Sequence, residues 1–252
     1  MTKETIPRRK FLWGAGLAGT AVAAGMAPDA ATQAQSRDQV QDQVQAKPAS
    51  GGQGAASAAD EPEPQFILTP TEHAFVVAAV DTLSPADDLS PSGSECGIAT
   101  FIDRQLASAW GAGGKMYRAG PFRTGTPEQG YQLPLTPAEF FAVGIAAANT
   151  WSRETYGHDF DQLSAEKRAE ALKAMQDGKA QFADFNSRAF FARLLAITME
   201  GFFSDPIYGG NRNMAGWRMI GFPGLPATYR NLYAEYRDKP YAVEPRSIAD
   251  FS

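Results

Sequence analysis

Thr69-Pro70-Thr71-Glu72-His73-Ala74-Phe75-Val76-Val77-Ala78-Ala79-Val80-Asp81-Thr82-Leu83 decides the fold class. Thr69 can cap the free amides at a helix start. Pro70 is preset for the first helical position, and Glu72 is placed to reach back to the capping residue. Phe75, Val76, Ala79, Val80 and Leu83 then recur at helical spacing and form one apolar face. Leu83-Ser84-Pro85-Ala86-Asp87-Asp88-Leu89-Ser90-Pro91-Ser92-Gly93 is punctuation that ends it. The same capping signature returns at Thr136-Pro137-Ala138-Glu139. It opens a helix to about Tyr156 that carries Phe140, Phe141, Ile145, Ala148 and Trp151.

Outward from these two segments, the spacing predicts further helices. One runs from about Cys96 to Ala109, with Ile98, Phe101, Ile102 and Leu106 on one face. Another opens at Ser164 and reaches about Met175. A fifth spans Ala183 to Phe202, with Phe190, Phe191, Leu194, Leu195 and Met199. A last short one covers Ala227 to Tyr236. No run alternates for long with period two, and Val and Ile are sparse, so strands are not expected. The expected fold is mostly α. Residues 65–252 form a compact helical domain with long irregular Gly/Pro/aromatic loops at 110–135 and 201–226. A signal peptide and a disordered tether precede it.

Residues 1–34 read as that signal. Arg8-Arg9-Lys10-Phe11-Leu12 precedes a weakly apolar stretch interrupted by Gly14, Gly16, Gly19 and Gly25. A basic region, an apolar region and small residues near a cleavage site make a secretory signal, and Arg8 and Arg9 followed by Phe11 and Leu12 fit the twin-arginine type. Cleavage is expected after Ala34, with Ala27 or Ala31 as alternatives. A retained membrane anchor is the competing reading, although the stretch is short and glycine-rich. Gly14-Ala15-Gly16-Leu17-Ala18-Gly19 matches a dinucleotide fingerprint by letter only, because no strand precedes it. Residues 35–64 hold almost no large apolar side chain and read as a flexible linker. Cleavage would remove Lys3, Arg8, Arg9 and Lys10 but only Glu4 and Asp29, leaving a more acidic exported protein.

Composition excludes several function classes. The 252 residues carry 23 basic and 28 acidic side chains, a formal net charge of −5. That argues against nucleic acid as a partner, since phosphate neutralisation needs clustered Lys and Arg. One cysteine and two histidines leave no basis for a disulfide framework, an iron–sulfur cluster or a His-rich metal site. His73 reads as a surface histidine near a helix start, and His158 as a turn residue. Asp87, Asp88, Asp159 and Asp161 read as solvated loop charge, without calcium-loop spacing. Cys96 stays open among an intersubunit disulfide, a free thiol and a small buried apolar residue. This composition points to no catalytic residue, cofactor site or metal site in the chain.

The most distinctive stretch runs from Gly201 to Pro226. It holds six glycines among Phe202, Phe203, Tyr208, Trp217 and Phe222. Glycine permits close backbone approach, and aromatic side chains and Arg serve as interface anchors. The stretch reads as a rigid aromatic loop docked either on its own core or on a partner. The candidate partner-contacting residues are Cys96, Asp205, Pro206, Tyr208, Gly209, Gly210, Asn211, Gly216, Trp217, Phe222 and Pro223.

These residues also carry a resemblance. Asp205-Pro206-Ile207-Tyr208-Gly209-Gly210-Asn211-Arg212-Asn213-Met214-Ala215-Gly216-Trp217, continued by Gly221-Phe222-Pro223-Gly224, resembles the signature of the gluconate 2-dehydrogenase subunit 3 family. Leu89-Ser90-Pro91-Ser92-Gly93, Gly120-Pro121-Phe122-Arg123 and the arginine signal fit as well, and the similarity covers roughly 66–240. The resemblance implies a three-part periplasmic enzyme held at the inner membrane. A flavoprotein large subunit carries FAD and oxidises a sugar or sugar acid. A multihaem cytochrome c subunit takes the electrons. The small subunit holds no cofactor and supports maturation and export of the large one through the twin-arginine translocon. Small subunits of fructose, sorbitol and glucose dehydrogenases are similar. The alternatives of another class are an independent periplasmic enzyme, for which only His73 and His158 offer themselves as acid or base, and a free-standing periplasmic binding or chaperone protein.

Overall fold

Both Thr-Pro-x-Glu signatures form complete capping boxes. In a computed structural model, Thr69 Oγ1 accepts from the Glu72 amide at 3.3 Å, and Glu72 Oε2 accepts from the Thr69 amide at 2.8 Å. The Thr136–Glu139 pair repeats this at 3.2 and 2.7 Å. Each box satisfies two amides that a helix start leaves open. The structure describes residues 65–251 apart from 124, 127, 128, 226, 227 and 231. The signal and linker readings for 1–34 and 35–64, with Arg8, Arg9, Phe11 and Leu12, lie outside the described residues.

Among the described residues six α-helices follow in order: α1 Pro70–Leu83, α2 Ile98–Ala107, α3 Pro137–Tyr156, α4 Ala165–Asp177, α5 Ser187–Phe203 and α6 Ala215–Ile220. Among the described residues there is no strand, only an isolated bridge between Gly224 and Arg246. The mostly α reading holds. α5 lies at the centre, packed on α2, α3 and α4, while α1 packs on α2, α4 and the short turn at Phe160–Gln162. Asn149, buried on α3, accepts from the Phe160 amide at 3.1 Å and so ties that turn into the core.

The core is an aromatic cluster. Phe75 of α1 meets Phe160 at 4.7 Å and Phe190 of α5 at 6.0 Å between ring centroids. Phe190 also meets Phe141, Phe182 and Phe185. Each fully buried Phe contributes roughly 1.5–3 kcal/mol by removing apolar surface from water. α3 approaches this cluster closely through Gly144, where an added Cβ would stand 2.2 Å from the Phe190 ring.

At the entry to the folded body, Asp103 of α2 is buried and accepts from three successive amides. Phe66 donates at 2.6 Å, Ile67 at 3.0 Å and Leu68 at 2.9 Å. One carboxylate thus anchors the extended segment that leads into α1.

Three expectations need correction. Residues 228–230 and 232–236 do not form an α-helix; 230 and 232–235 make turns, with the Tyr233 amide bonded to the Tyr229 carbonyl at 3.1 Å. Tyr229 and Tyr233 are exposed, so the segment has no apolar face to bury, and a helix this short is marginal without one. Conversely, α6 lies inside the stretch read as a loop. The fifth helix begins at Ser187 rather than Ala183, because Asn186 caps it by accepting from the Ala189 amide at 2.9 Å.

Candidate functional site

Where α5 ends, the chain makes a glycine-rich excursion with two unlike faces. Asp205 starts it: one carboxylate oxygen accepts from the Ile207 amide at 3.0 Å and caps a single 3-10 turn. Asn211 is the pivot. It is 0% exposed and adopts a left-handed conformation at φ 48°. Its Nδ2 donates to the Ser204 carbonyl at 2.8 Å, and its Oδ1 accepts from the Gly216 amide at 2.8 Å. One side chain therefore joins the end of α5 to the start of α6. Trp217 seals the joint. It is buried, donates from Nε1 to the Phe203 carbonyl at 2.8 Å and meets Phe222 edge-on at 5.1 Å.

The excursion is also pinned to the turn before α2. The Arg212 amide donates to the Cys96 carbonyl at 3.0 Å. Next to it, Gly97 sits at φ 76°, and an added Cβ there would stand 2.3 Å from the Gly209 carbonyl oxygen. Only glycine allows both the left-handed backbone and that approach.

A C-terminal strap closes the other side. Leu225 donates to the Arg246 carbonyl at 2.8 Å, and Arg246 donates back to Pro223 at 3.1 Å. The second Asp205 oxygen accepts from the Ile248 amide at 2.9 Å. Arg218 pairs with Glu244 at 3.0 Å, and the Arg246 guanidinium lies 4.1 Å over the Phe251 ring.

The candidate residues thus divide. Gly210, Asn211, Gly216 and Trp217 are buried against the chain's own core, while Asp205, Pro206, Gly209 and Pro223 are half-buried. Tyr208 and Phe222 are exposed, joined by Ile207 and Ile220 and by Ile248 and Phe251 of the strap. Cys96 is buried, with its sulfur 3.6 Å from the Pro91 carbonyl oxygen, so a disulfide to another subunit would require this turn to open. The sequence reading did not single out Ile207, Ile220, Ile248 or Phe251. Ile248 and Phe251 lie far along the chain, and the Asp205–Ile248 bond together with the Arg246 bonds to Pro223 and Leu225 brings their segment here.

His73 is half-buried and His158 exposed. Asp159 is occupied by Arg153, and Asp87 caps the Leu89 and Ser90 amides. Among the described residues no three His, Cys, Asp or Glu side chains group to hold a metal. One recess lies between the starts of α1 and α3, lined by Ile67, Leu68, Leu106, Ala138 and Ala142 with Glu72 and Glu139. Hydrogen bonds from Thr136 hold the Glu139 carboxyl below its ordinary range, so it is anionic at neutral pH. Two carboxylates would repel a pyrophosphate, so this recess does not fit FAD.

A family model described as gluconate 2-dehydrogenase subunit 3 matches residues 70–224. The chain belongs to that family. It is a subunit 3-like small subunit of a multi-subunit dehydrogenase. No curated protein and no solved structure matches the chain. The subunit 3 match begins at the first residue of α1 and ends at Gly224, where the excursion meets the strap. The family's unit therefore comprises the helical core together with the excursion it clips in place.

Proposed function

We propose that this chain is the non-catalytic small subunit of a periplasmic, FAD-dependent gluconate 2-dehydrogenase-like complex at the inner membrane. In this reading it supports maturation, stability and twin-arginine export of the flavoprotein large subunit. Residues 1–34 act as the signal, 35–64 as a linker and 65–252 as the subunit body. FAD sits in the large subunit and haem c in a multihaem cytochrome subunit. The observation that carries the reading is the two-faced excursion within the family match: its inner face is consumed by the core, while Tyr208 and Phe222 remain outward. Exposed aromatic side chains on a rigid support are what an obligate interface uses as anchors. The twin-arginine route fits as well. It carries folded cargo, and this chain has reason to use it if the cofactor travels in a bound partner.

Replacing Arg8 and Arg9 by Lys and fractionating the cells tests the export role. Both subunits are expected to remain in the cytoplasm. Export of the flavoprotein unchanged by that replacement would sink the escort role. Purification of the tagged chain from native membranes tests the subunit role. A yellow co-purifying flavoprotein supports it, and a colourless monomer refutes it.

A further inference from the structure

A second surface differs in chemistry from the excursion. Between Asp103 and Glu128 the sequence holds no acidic residue, yet it holds Arg104, Lys115, Arg118 and Arg123 in a chain whose net charge is −5. The loop that carries the last three has a fixed base. The Gly111 carbonyl accepts from the Ala138 amide at 3.0 Å, and the Met116 amide donates to Gly113 at 3.0 Å. Tyr131 stacks on Phe140 at 4.2 Å and donates to the Leu135 carbonyl at 3.2 Å. Burial raises the Tyr131 phenol's pKa, so it keeps the proton it donates.

Beyond that base the loop changes character. All seven residues from Tyr117 to Arg123 are exposed, and none makes a backbone hydrogen bond among the described residues. Tyr117 is 82% exposed, more than any other large apolar side chain described, and Phe122 is also exposed. The Arg118 charge reaches Glu139 of α3, whereas Tyr117 lies bare between Lys115 and Arg118.

We propose that residues 115–123 form a basic aromatic arm that docks on an acidic surface of the flavoprotein subunit. This rests on the subunit reading given above. Tyr and Arg are the side chains that interface cores enrich, and opposite charge sets the register of docking. The backbone groups of 117–123, which make no backbone hydrogen bond among the described residues, can supply further donors and acceptors to the partner. A lipid surface is the poorer fit. Polybasic membrane segments carry roughly four to eight cations, or an amphipathic helix face. The arm has three cations, no helix and an acidic body behind it.

The test uses the full chain and the flavoprotein that co-purifies with it. Wild type, Tyr117→Ala and the triple variant K115E/R118E/R123E are compared for partner capture at low and high salt. Thermal midpoints of the isolated chains serve as the folding control. Capture is expected to weaken at least tenfold in the triple variant and to lose its salt dependence, with the midpoint unchanged. Tyr117→Ala, which leaves the charge intact, is expected to weaken capture several-fold and keep the salt dependence. Equal capture and equal salt response in all three overturns the arm while leaving the subunit reading intact. So does binding to phosphatidylglycerol vesicles that the triple variant loses while capture stays unchanged. A wild-type chain that captures no flavoprotein overturns both.

Discussion

The aromatic core and the 205–224 excursion solve the same problem with different materials. The core buries rings: Phe75, Phe141, Phe160 and Phe190 hold α1, α3 and α5 by area and shape. The excursion has little ring area to spend. It is held by directed bonds from Asp205, Asn211 and Trp217, and by backbone approaches that only glycine permits. Burial forgives small changes of shape, whereas a buried hydrogen-bond joint does not. A region fixed by a few directed bonds can keep one face bare and still be rigid.

The largest effect is expected in the core. Phe190→Ala should cost about 3–5 kcal/mol, because a fully buried ring would leave a cavity beneath four aromatic neighbours. Urea unfolding of residues 65–252, followed by far-ultraviolet circular dichroism, would measure it. Asn211→Ala comes next, at about 2 kcal/mol, since it strands the Ser204 carbonyl and the Gly216 amide in a buried site. Its signature should be local: faster amide exchange across 205–224 with protection in α1 and α5 retained. If α1 and α5 lose protection equally, the two regions form one cooperative unit and the contrast fails.

Thr136→Ala should cost about 1 kcal/mol by removing the cap of α3. The same cap is pH-sensitive. The folded state holds Glu139 below its unfolded range, so its contribution is complete above the unfolded carboxylate pKa of about 4 and fades as pH falls through the lower folded value. Stability measured from pH 6 downward should therefore drop more steeply in wild type than in Glu139→Gln. A small stability change, about 1 kcal/mol, is expected for Tyr208→Ser with Phe222→Ser, because Phe222 gives up its edge-on contact with Trp217 while Tyr208 is half exposed. The same pair should abolish capture of the flavoprotein. Undiminished capture would remove the outer face from the interface.

What the sequence reveals follows the same division. Local signals were legible: both capping boxes, the Ser164 cap of α4, and the apolar faces of α1, α3 and α5 rest on spacings within a few turns. α6 was not legible, because Asn211, Asn213 and Met214 all take left-handed backbone just before it. No propensity announces such a start; it depends on Asn211 and Trp217 bonding back to α5. The tyrosine-rich 228–236 stretch misled in the opposite sense. Its ring spacing resembles a helix face, but Tyr236 packs on Tyr241 at 4.7 Å rather than on the core. The anchoring role of Asp103 was equally hidden, since its three donors lie more than thirty residues earlier. The Asp205–Tyr208–Trp217 segment was recognisable as a site by composition and family signature, but its split into an inner and an outer face depends on contacts across the chain.

The bond from the Arg212 amide to the Cys96 carbonyl also sets a clock. More than a hundred residues separate its two ends. At a synthesis rate of roughly 5–20 residues per second, the turn before α2 leaves the ribosome on the order of ten seconds before its partner exists. Through that interval Gly97 faces an empty seat. The helices can assemble early from nearby contacts, while the face bearing Tyr208 and Phe222 takes shape only near the close of translation. A nascent chain is thereby kept from offering that face to another protein until the helices beneath it are in place.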